Sequence, residues 1–180
     1  MATKLQTLLE KNLSITSDFP KKGIMFQDIF SLTSKPKILK KITNEITKVV
    51  KKEKITKIVG IDARGFIFAP IVSCNENIPF IPIRKKGKLP GAVYKQRYKL
   101  EYGFDQVELQ KNSISKNDKV LIIDDLIATG GTALAAAKLV EKSSSKKISF
   151  IFITDLFTLN GSSILKDKGY NVTSIMSTEG

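Results

Sequence analysis

Short, continuous apolar runs constrain the fold of this chain more than any other feature. They read KIVGI at 57–61, IPFIPIR at 78–84, KVLIIDD at 119–125 and KISFIFITD at 147–155. Such runs are typical of strands that are covered on both faces, because a strand with one face in water alternates apolar and polar residues. The helix-like segments FIFAPIVSCNE and TALAAAKLVEK lie between them. This alternation predicts an α/β fold with a central, mostly parallel sheet, right-handed crossovers and flanking helices.

Three other segments complete the predicted outline. Residues 17–36 read as an irregular strand bounded by prolines. In PKILKKITNEITKVVKK, at 36–52, apolar residues recur at helical spacing, and Pro36 is tolerated in the first turn. Residues 87–112 interrupt the alternation with two polar strands joined near Gly103. A long excursion of this kind indicates either a flexible flap or an oligomer contact.

Length and composition exclude several classes of protein. A chain of 180 residues with 42% hydrophobic residues predicts one domain, 1–180, with a core of its own. The sequence has no histidine, which excludes imidazole bases, histidine metal ligands and histidine-assisted nucleophiles. Cys74 has no partner in the chain, so we expect a small buried side chain in a reducing compartment. Without a leader-like N-terminus or about 18 consecutive apolar residues, the chain is expected to be soluble and cytoplasmic.

The net charge of +13 raises the question of nucleic-acid binding. Most of the excess is lysine, since the arginines are Arg64, Arg84 and Arg97 alone, and the lysines are spread along the whole chain. This distribution favours solvated faces, solubility and nonspecific attraction to polyanions over a dedicated nucleic-acid surface.

The segment VLIIDDLIATGGT, at 120–132, carries the clearest chemical signal. A small-residue turn between a buried strand and a helix presents backbone N–H groups at the positive helix end, where they can hold a phosphate. Neither GxxxxGK[ST] nor GxGxxG is present. The acids Asp124 and Asp125 instead precede the turn, and carboxylates accept hydrogen bonds from vicinal hydroxyls. A ribose 5-phosphate satisfies both halves of the motif.

This segment resembles the signature of the type I phosphoribosyltransferases, which use 5-phosphoribosyl 1-diphosphate (PRPP). The segments DFPKKGIMFQDI, GIDARGFIFAP, IRKKGKLPG, LEYG and VELQK narrow the resemblance to the adenine phosphoribosyltransferases, in the same order and at similar spacing. The resemblance covers about Asp18 through Gly161. It implies a single-domain type I phosphoribosyltransferase fold with a small N-terminal base-binding hood at 1–34 and a flexible β-hairpin flap at 87–112.

The resemblance also implies which residues bind PRPP. The 5′-phosphate is assigned to the turn, the ribose hydroxyls to the acid pair, and the diphosphate to the arginine of the DARG loop and a lysine of RKKGKLPG. The DARG loop is expected to contain a non-proline cis peptide between Asp62 and Ala63. The implied PRPP-binding residues are Arg64, Lys88, Tyr102, Asp124, Asp125, Ala128, Thr129, Gly130, Gly131 and Thr132.

The base pocket is expected from GIMFQD and from the residue after the fourth apolar run. Phe26 can stack on a purine, the backbone groups of Met25 and Gln27 can read its edge, and Leu156 can close the other side. Main-chain donors and acceptors suit the amino group and ring nitrogen of adenine. Many members of the family carry arginine where Gln27 stands, which leaves a side-chain role for Gln27 open.

The implied reaction converts adenine and PRPP to AMP and diphosphate, as in purine salvage. Glu101 in the flap is expected to interact with the N7 side of the base and, with Asp124 and Asp125, forms the implied catalytic set. The implied cofactor is Mg²⁺ bound with PRPP or diphosphate, with no direct protein ligand and with the two aspartates in its outer shell. The implied assembly is a homodimer in which Arg84 reaches the neighbouring subunit's site.

Other readings remain open at this stage. The chain could use hypoxanthine, guanine, xanthine or orotate as the base. It could instead be a PRPP-sensing regulator that binds nucleic acid, although the 180 residues leave no room for an added domain, or a nonenzymatic scaffold, which the LEYG segment disfavours.

Overall fold

The computed structural model describes residues 3–99, 103–145 and 147–179. Its main sheet has seven strands and a separate small sheet has two. The strands are β1 Ser14–Ser17, β2 Met25–Asp28, β3 Lys57–Ile61, β4 Phe80–Lys85, β5 Val93–Lys99, β6 Phe104–Gln110, β7 Lys119–Ile127, β8 Lys147–Leu156 and β9 Asn171–Thr178. The helices are α1 Lys4–Glu10, α2 Phe30–Thr33, α3 Pro36–Glu53, α4 Ala69–Glu76, α5 Gly131–Lys142 and α6 Gly161–Asp167, with short 3-10 turns at Arg64–Ile67 and Phe157–Leu159.

The seven-stranded sheet confirms the mostly parallel topology expected from the apolar runs. Its strand order is β5-β6-β4-β3-β7-β8-β9, and β4, β3, β7, β8 and β9 pair in parallel along that series. Because the central strands β3, β7 and β8 are covered on both faces, almost every residue in them is buried. The carboxyl ends of these parallel strands lie at one edge of the sheet, which is where ligands bind in folds of this type.

Two hydrophobic clusters fill the space between the sheet and its helices. On one face α3 contributes Ile42 and Ile46, which pack with Phe68 and with Ile123 of β7. On the other face the small residues of α5 allow that helix to approach Ile122 closely. Alternate residues of one strand therefore belong to opposite cores, as expected for a sheet with two buried faces.

Residues 87–112 contain the two strands expected there. β5 and β6 pair antiparallel over their full length, and β6 also pairs antiparallel with the end of β4. The base of this hairpin is attached to α5, because the Lys142 ammonium donates to the Lys95 carbonyl at 2.6 Å. Glu101 and Tyr102, which the sequence placed at the tip, lie outside the described residues.

The N-terminal and C-terminal parts differ in detail from the sequence reading. An irregular strand was expected over 17–36, but the structure has the antiparallel pair β1 and β2 over 14–28, which we call the N-terminal hairpin, followed by α2. The short helix α6 and the edge strand β9 were not anticipated, because their segments are short and rich in polar residues. Cys74 was expected to be buried but is exposed near the end of α4. Within the described ranges, no helix is both long and apolar enough to cross a membrane.

The tight packing of α3 predicts a large effect of truncating Ile46, which is fully buried. The Ile46→Ala change is expected to lower the free energy of unfolding by about 2–5 kcal/mol, because it removes apolar contacts and leaves a cavity. Urea denaturation measures this loss. The exposed Lys52→Ala on the same helix is the control and should change stability by less than about 0.5 kcal/mol. Equal effects of the two changes would contradict this description of the core.

Candidate active site

A small cavity lies where the loop after β7 meets the start of α5. Its volume is about 200 Å³. The cavity collects the acid pair, one arginine and the glycine turn, all of which the sequence had singled out. The lining residues are Arg64, Asp124, Asp125, Leu126, Ile127, Ala128, Thr129, Gly130, Gly131, Thr132, Ala133 and Phe152. A larger cavity of about 720 Å³ lies between α1, α3 and β9. It contains none of these groups, so we place the site at the smaller one.

The turn at 128–130 has the geometry of a phosphate cradle. Gly130 has φ of 81°, a left-handed conformation that favours glycine, and α5 begins at the next residue. The first N–H groups of a helix have no intrahelical partner, so they remain free to bind an anion. The described structure thus brings Ala128, Thr129 and Gly131 together at the positive end of α5, as the sequence predicted.

Gly161 packs against the backbone of this turn, a role that the sequence analysis did not assign. Its N–H donates to the Ala128 carbonyl at 3.0 Å. A Cβ at Gly161 would collide with that carbonyl oxygen and would lie 2.7 Å from the Gly130 nitrogen. The only sequence signal was a glycine in the loop after β8, and its importance comes from contact with a turn more than thirty residues earlier.

Gly65 allows a second close approach, between the loop after β3 and the end of β7. A Cβ on Gly65 would lie 2.5 Å from the Ile123 carbonyl oxygen and 3.3 Å from Oδ1 of Asp124. The expected cis peptide between Asp62 and Ala63 is present in the same loop. This contact brings Arg64 beside the acid pair.

Arg64 and Asp125 form the principal ion pair of the site. The Arg64 Nε atom lies 2.6 Å from Asp125 Oδ2, with the arginine side chain 38% exposed and the aspartate 6% exposed. Because the described contact engages Nε, the two terminal nitrogens of the guanidinium can still bind an anion such as a phosphate. Asp125 therefore orients Arg64 at the rim of the cavity.

The acid pair, in which Asp125 is buried and Asp124 is partly buried, carries a high electrostatic cost. Burial and the neighbouring Asp125 carboxylate raise the pKa of Asp124 well above its ordinary value. Burial also raises the pKa of Asp125, although the Arg64 guanidinium opposes that shift. The Asp125 N–H donates to Asp124 Oδ1 at 3.0 Å. This hydrogen bond partly offsets the loss of hydration of the Asp124 carboxylate. Such perturbation is typical of functional sites.

Arg84 connects the two loops that carry the predicted diphosphate-binding cations. Its Nε donates to Asp62 Oδ2 at 3.0 Å, and a terminal nitrogen donates to the Lys88 carbonyl at 3.1 Å. The Lys88 side chain is exposed. Arg84, expected to reach a neighbouring subunit, thus has partners within its own chain.

The predicted base-binding residues lie next to this cluster. The Arg64 guanidinium carbon is 6.0 Å from the centre of the Phe26 ring, and Phe19 packs edge-on against Phe26 with ring centroids 5.0 Å apart. Met25 is 57% exposed. Leu156 pairs with Thr178 in the β8–β9 register, and the Gln27 amide donates to the Thr178 hydroxyl at 2.6 Å. Gln27 and Leu156 therefore lie at the carboxyl ends of β8 and β9, and Phe26 lies beside Arg64.

The end of β5 that leads into the tip of the flap also approaches the phosphate cradle. A Cβ at Gly131 would lie 3.4 Å from the Lys99 carbonyl oxygen and 3.6 Å from the Tyr98 ring. Burial raises the pKa of Tyr98, and its hydrogen bond to Thr132 opposes that shift. Tyr98 was not singled out in the sequence, where it looked like one of several aromatic residues in a polar strand. Glu101 and Tyr102 come three and four residues later and lie outside the part of the chain that the structure describes.

The contact behind the phosphate cradle predicts the effect of Gly161→Ala. The added methyl group must displace the turn at Ala128 and Gly130, so the affinity for ribose 5-phosphate is expected to fall by about tenfold or more. The free energy of unfolding should fall by only about 1–3 kcal/mol. Isothermal titration and urea denaturation measure the two effects. The exposed Ser163→Ala on α6 is the control, and unchanged ribose 5-phosphate affinity in Gly161→Ala would contradict the proposed contact.

The raised pKa of Asp124 predicts that Asp124→Asn stabilises the fold as pH rises. The folded protein retains this proton above the ordinary pKa of 3.8, so ionisation costs stability from that pH upward. An uncharged amide avoids this cost and keeps the oxygen that accepts from Asp125. The variant should match the wild type near about pH 3 and gain stability toward neutral pH. Urea denaturation across pH measures this, with the exposed Asp167→Asn as control. A variant that loses stability relative to wild type as pH rises would contradict the assignment.

Comparison with known proteins places the chain in a family. The family model described as "Phosphoribosyl transferase domain" matches residues 29–175. An adenine phosphoribosyltransferase of Pelagibacter ubique is 50% identical over 163 residues, which cover 91% of this chain and 93% of that protein. One of Methanococcus vannielii is 45% identical over 93% of this chain and 96% of that protein.

Solved structures agree with this assignment. The enzyme of Giardia lamblia, crystallised with 9-deazaadenine, matches with a TM-score of 0.91 and 34% identity over 100% of this chain and 99% of its own. The adenine phosphoribosyltransferase of Saccharomyces cerevisiae, complexed with an imino-altritol bisphosphate and adenine, matches with a TM-score of 0.89 and 35% identity over 95% and 98%. The chain therefore belongs to the phosphoribosyltransferase family and has the fold of its adenine phosphoribosyltransferase members.

Proposed function

We propose that this protein transfers the 5-phosphoribosyl group from PRPP to adenine, giving AMP and diphosphate in purine salvage. The observation that carries the proposal is the convergence of the phosphate cradle, the buried acids and Arg64 beside Phe26. The relatives at 45–50% identity that are named adenine phosphoribosyltransferase support the choice of base.

PRPP fits the cavity with each of its parts opposite a complementary group. The 5′-phosphate binds the backbone N–H groups and hydroxyls of 128–132 at the start of α5. The ribose hydroxyls donate to Asp124 and Asp125, which line the same cavity. Arg64, Lys88 and the flap residue Tyr102 contact the diphosphate, for which Arg64 is already oriented by Asp125.

The base site lies on the other side of Arg64. Phe26 stacks on the adenine ring, and Leu156 covers the opposite face. The backbone of Met25 and Gln27 reads the edge of the base. Glu101 interacts with the N7 side as N9 attacks C1′ of the ribose.

Catalysis by these residues depends on charge stabilisation and positioning. As the bond between C1′ and the diphosphate breaks, negative charge develops on the leaving group, where Arg64 and Lys88 stabilise it. The acids and the phosphate cradle hold the ribose in register with the base, so attack occurs from a fixed distance. Closure of the flap over the site excludes water that would otherwise hydrolyse PRPP.

Magnesium fits the donor set of the cavity. Among the described residues, no three histidine, cysteine or acidic side chains are grouped to hold a metal, while two carboxylates lie at the cavity. Mg²⁺ commonly retains waters and binds substrate phosphates, so we propose that Asp124 and Asp125 contact it through water. When bound, the ion would supply positive charge to the diphosphate.

We also propose that the protein acts as a cytoplasmic homodimer without a specific nucleic-acid partner. The family resemblance supports the dimer, and the even spread of lysines supports the absence of a dedicated nucleic-acid surface. Light scattering after size-exclusion chromatography measures the assembly state.

The decisive experiment measures diphosphate release with adenine, PRPP and Mg²⁺, omitting each in turn. Release should require all three, and hypoxanthine, guanine, xanthine and orotate should be poorer substrates than adenine. Asp125→Ala should lose at least about 100-fold in turnover, since it removes the ribose contact and the partner of Arg64, while it still folds cooperatively. Preference for another base would overturn the choice of adenine, and wild-type activity of Asp125→Ala would overturn the role of the acid pair.

A further inference from the structure

The side chain of Gln27 joins two parts of the molecule that are far apart in sequence. Its Nε2 donates to the Thr178 hydroxyl at 2.6 Å across a separation of 151 residues. Gln27 belongs to the N-terminal hairpin, and Thr178 is the last residue of β9. The bond therefore connects the hairpin to the C-terminal edge of the main sheet.

Thr178 is placed so that this bond affects the base site. It pairs with Leu156 in the parallel β8–β9 register. Phe26, next to Gln27 in β2, lies beside Arg64. The Gln27–Thr178 bond thus joins β2, which carries the proposed stacking ring of Phe26, to the β8–β9 pair, which carries Leu156 on the opposite side of the proposed base site.

The N-terminal hairpin has few buried contacts of its own. All four residues of β1 are exposed, and so is Met25 at the start of β2. Phe19 and Ile24 in the turn between the strands are 50% and 41% exposed. A two-stranded hairpin is only marginally stable without packing against other elements, so a specific bond to β9 has a large share in fixing its position.

The Gln27 amide is not fully satisfied by hydrogen bonds. Gln27 Oε1 is buried and has no hydrogen-bond partner among the described residues. A buried polar atom without a partner destabilises the fold, so an apolar side chain would be favoured here if packing alone mattered. The hydroxyl of Thr178 can both donate and accept, so the bond survives if the amide is turned over.

We infer that Gln27 and Thr178 form a positioning pair that holds the N-terminal hairpin over the purine and thereby sets the affinity for the base. The inference rests on the proposed function. It assigns the Gln27 side chain a role separate from the backbone contact to adenine.

Matched variants of Thr178 test the pair without disturbing the backbone of the base site. Thr178→Val removes the hydroxyl and keeps the shape, whereas Thr178→Ser keeps the hydroxyl. Thr178→Val should raise KM for adenine about 5- to 10-fold, the equivalent of one hydrogen bond. Its kcat and its KM for PRPP should stay within about twofold of wild type, and Thr178→Ser should restore the adenine KM.

The double variant shows whether the two side chains act together. Gln27→Met removes the polar atoms at similar volume and should also raise KM for adenine. The double variant Gln27→Met/Thr178→Val should have a KM for adenine no higher than either single variant, because both changes remove the same hydrogen bond. Additive increases in KM, or equal adenine KM in Thr178→Val and Thr178→Ser, would overturn the pair.

Hydrogen exchange separates failure of this inference from failure of the proposed function. In Thr178→Val, amide exchange should rise about 5- to 10-fold across 14–28, with exchange in α5 unchanged and the exposed Lys22→Ala matching wild type. If wild type forms no AMP but the hairpin exchange rises, the proposed function fails and the pair stands. If wild type is active and neither adenine KM nor exchange responds to Thr178→Val, the pair fails and the function stands.

Discussion

The ion pair between Arg64 and Asp125 is the interaction on which the site depends. Two carboxylates at the end of a buried strand repel one another and lose hydration, and the raised pKa values of Asp124 and Asp125 express that cost. The Arg64 Nε atom lies 2.6 Å from Asp125 Oδ2, so the guanidinium stabilises the Asp125 carboxylate. The same contact orients the Arg64 side chain. The ion pair therefore stabilises a charge and places a cation at the rim of the cavity.

Two glycines make this arrangement sterically possible. Gly65 lets the loop after β3 approach the backbone of β7, and Gly161 lets the loop after β8 support the phosphate cradle. A Cβ at Gly65 would collide with a main-chain atom of β7, and a Cβ at Gly161 would collide with a main-chain atom of the turn that follows β7. The loops after β3 and β8 are thus packed against β7 and the turn that follows it, so the site is preorganised by backbone contacts before any substrate binds.

Much of the architecture could be predicted because its signals are local. The strands β3, β4, β7 and β8 appear as continuous apolar runs, and α3 appears as a helical repeat. The edge strand β9 and the short helix α6 lack such signals, because one is only partly buried and the other offers two turns of mixed composition. Cys74 lies in an apolar segment yet is exposed, since its position on α4 turns it away from the sheet. The apolar character of the surrounding sequence does not specify which face of a helix a residue occupies.

The sequence by itself determined the fold class, the position of the glycine turn between β7 and α5 and the identity of most residues that line the cavity there. These follow from periodicity and from a motif whose residues are contiguous, so their relative placement depends on local geometry. Only the tertiary structure decided that Arg64 pairs with Asp125, that Arg84 links the Asp62 and Lys88 loops, and that Gln27 reaches Thr178. The contacts of Arg64 with Asp125, of Arg84 with Asp62 and of Gln27 with Thr178 join segments that are distant in the chain. Their geometry depends on how the strands are ordered in the sheet, and no local pattern of residues encodes that order.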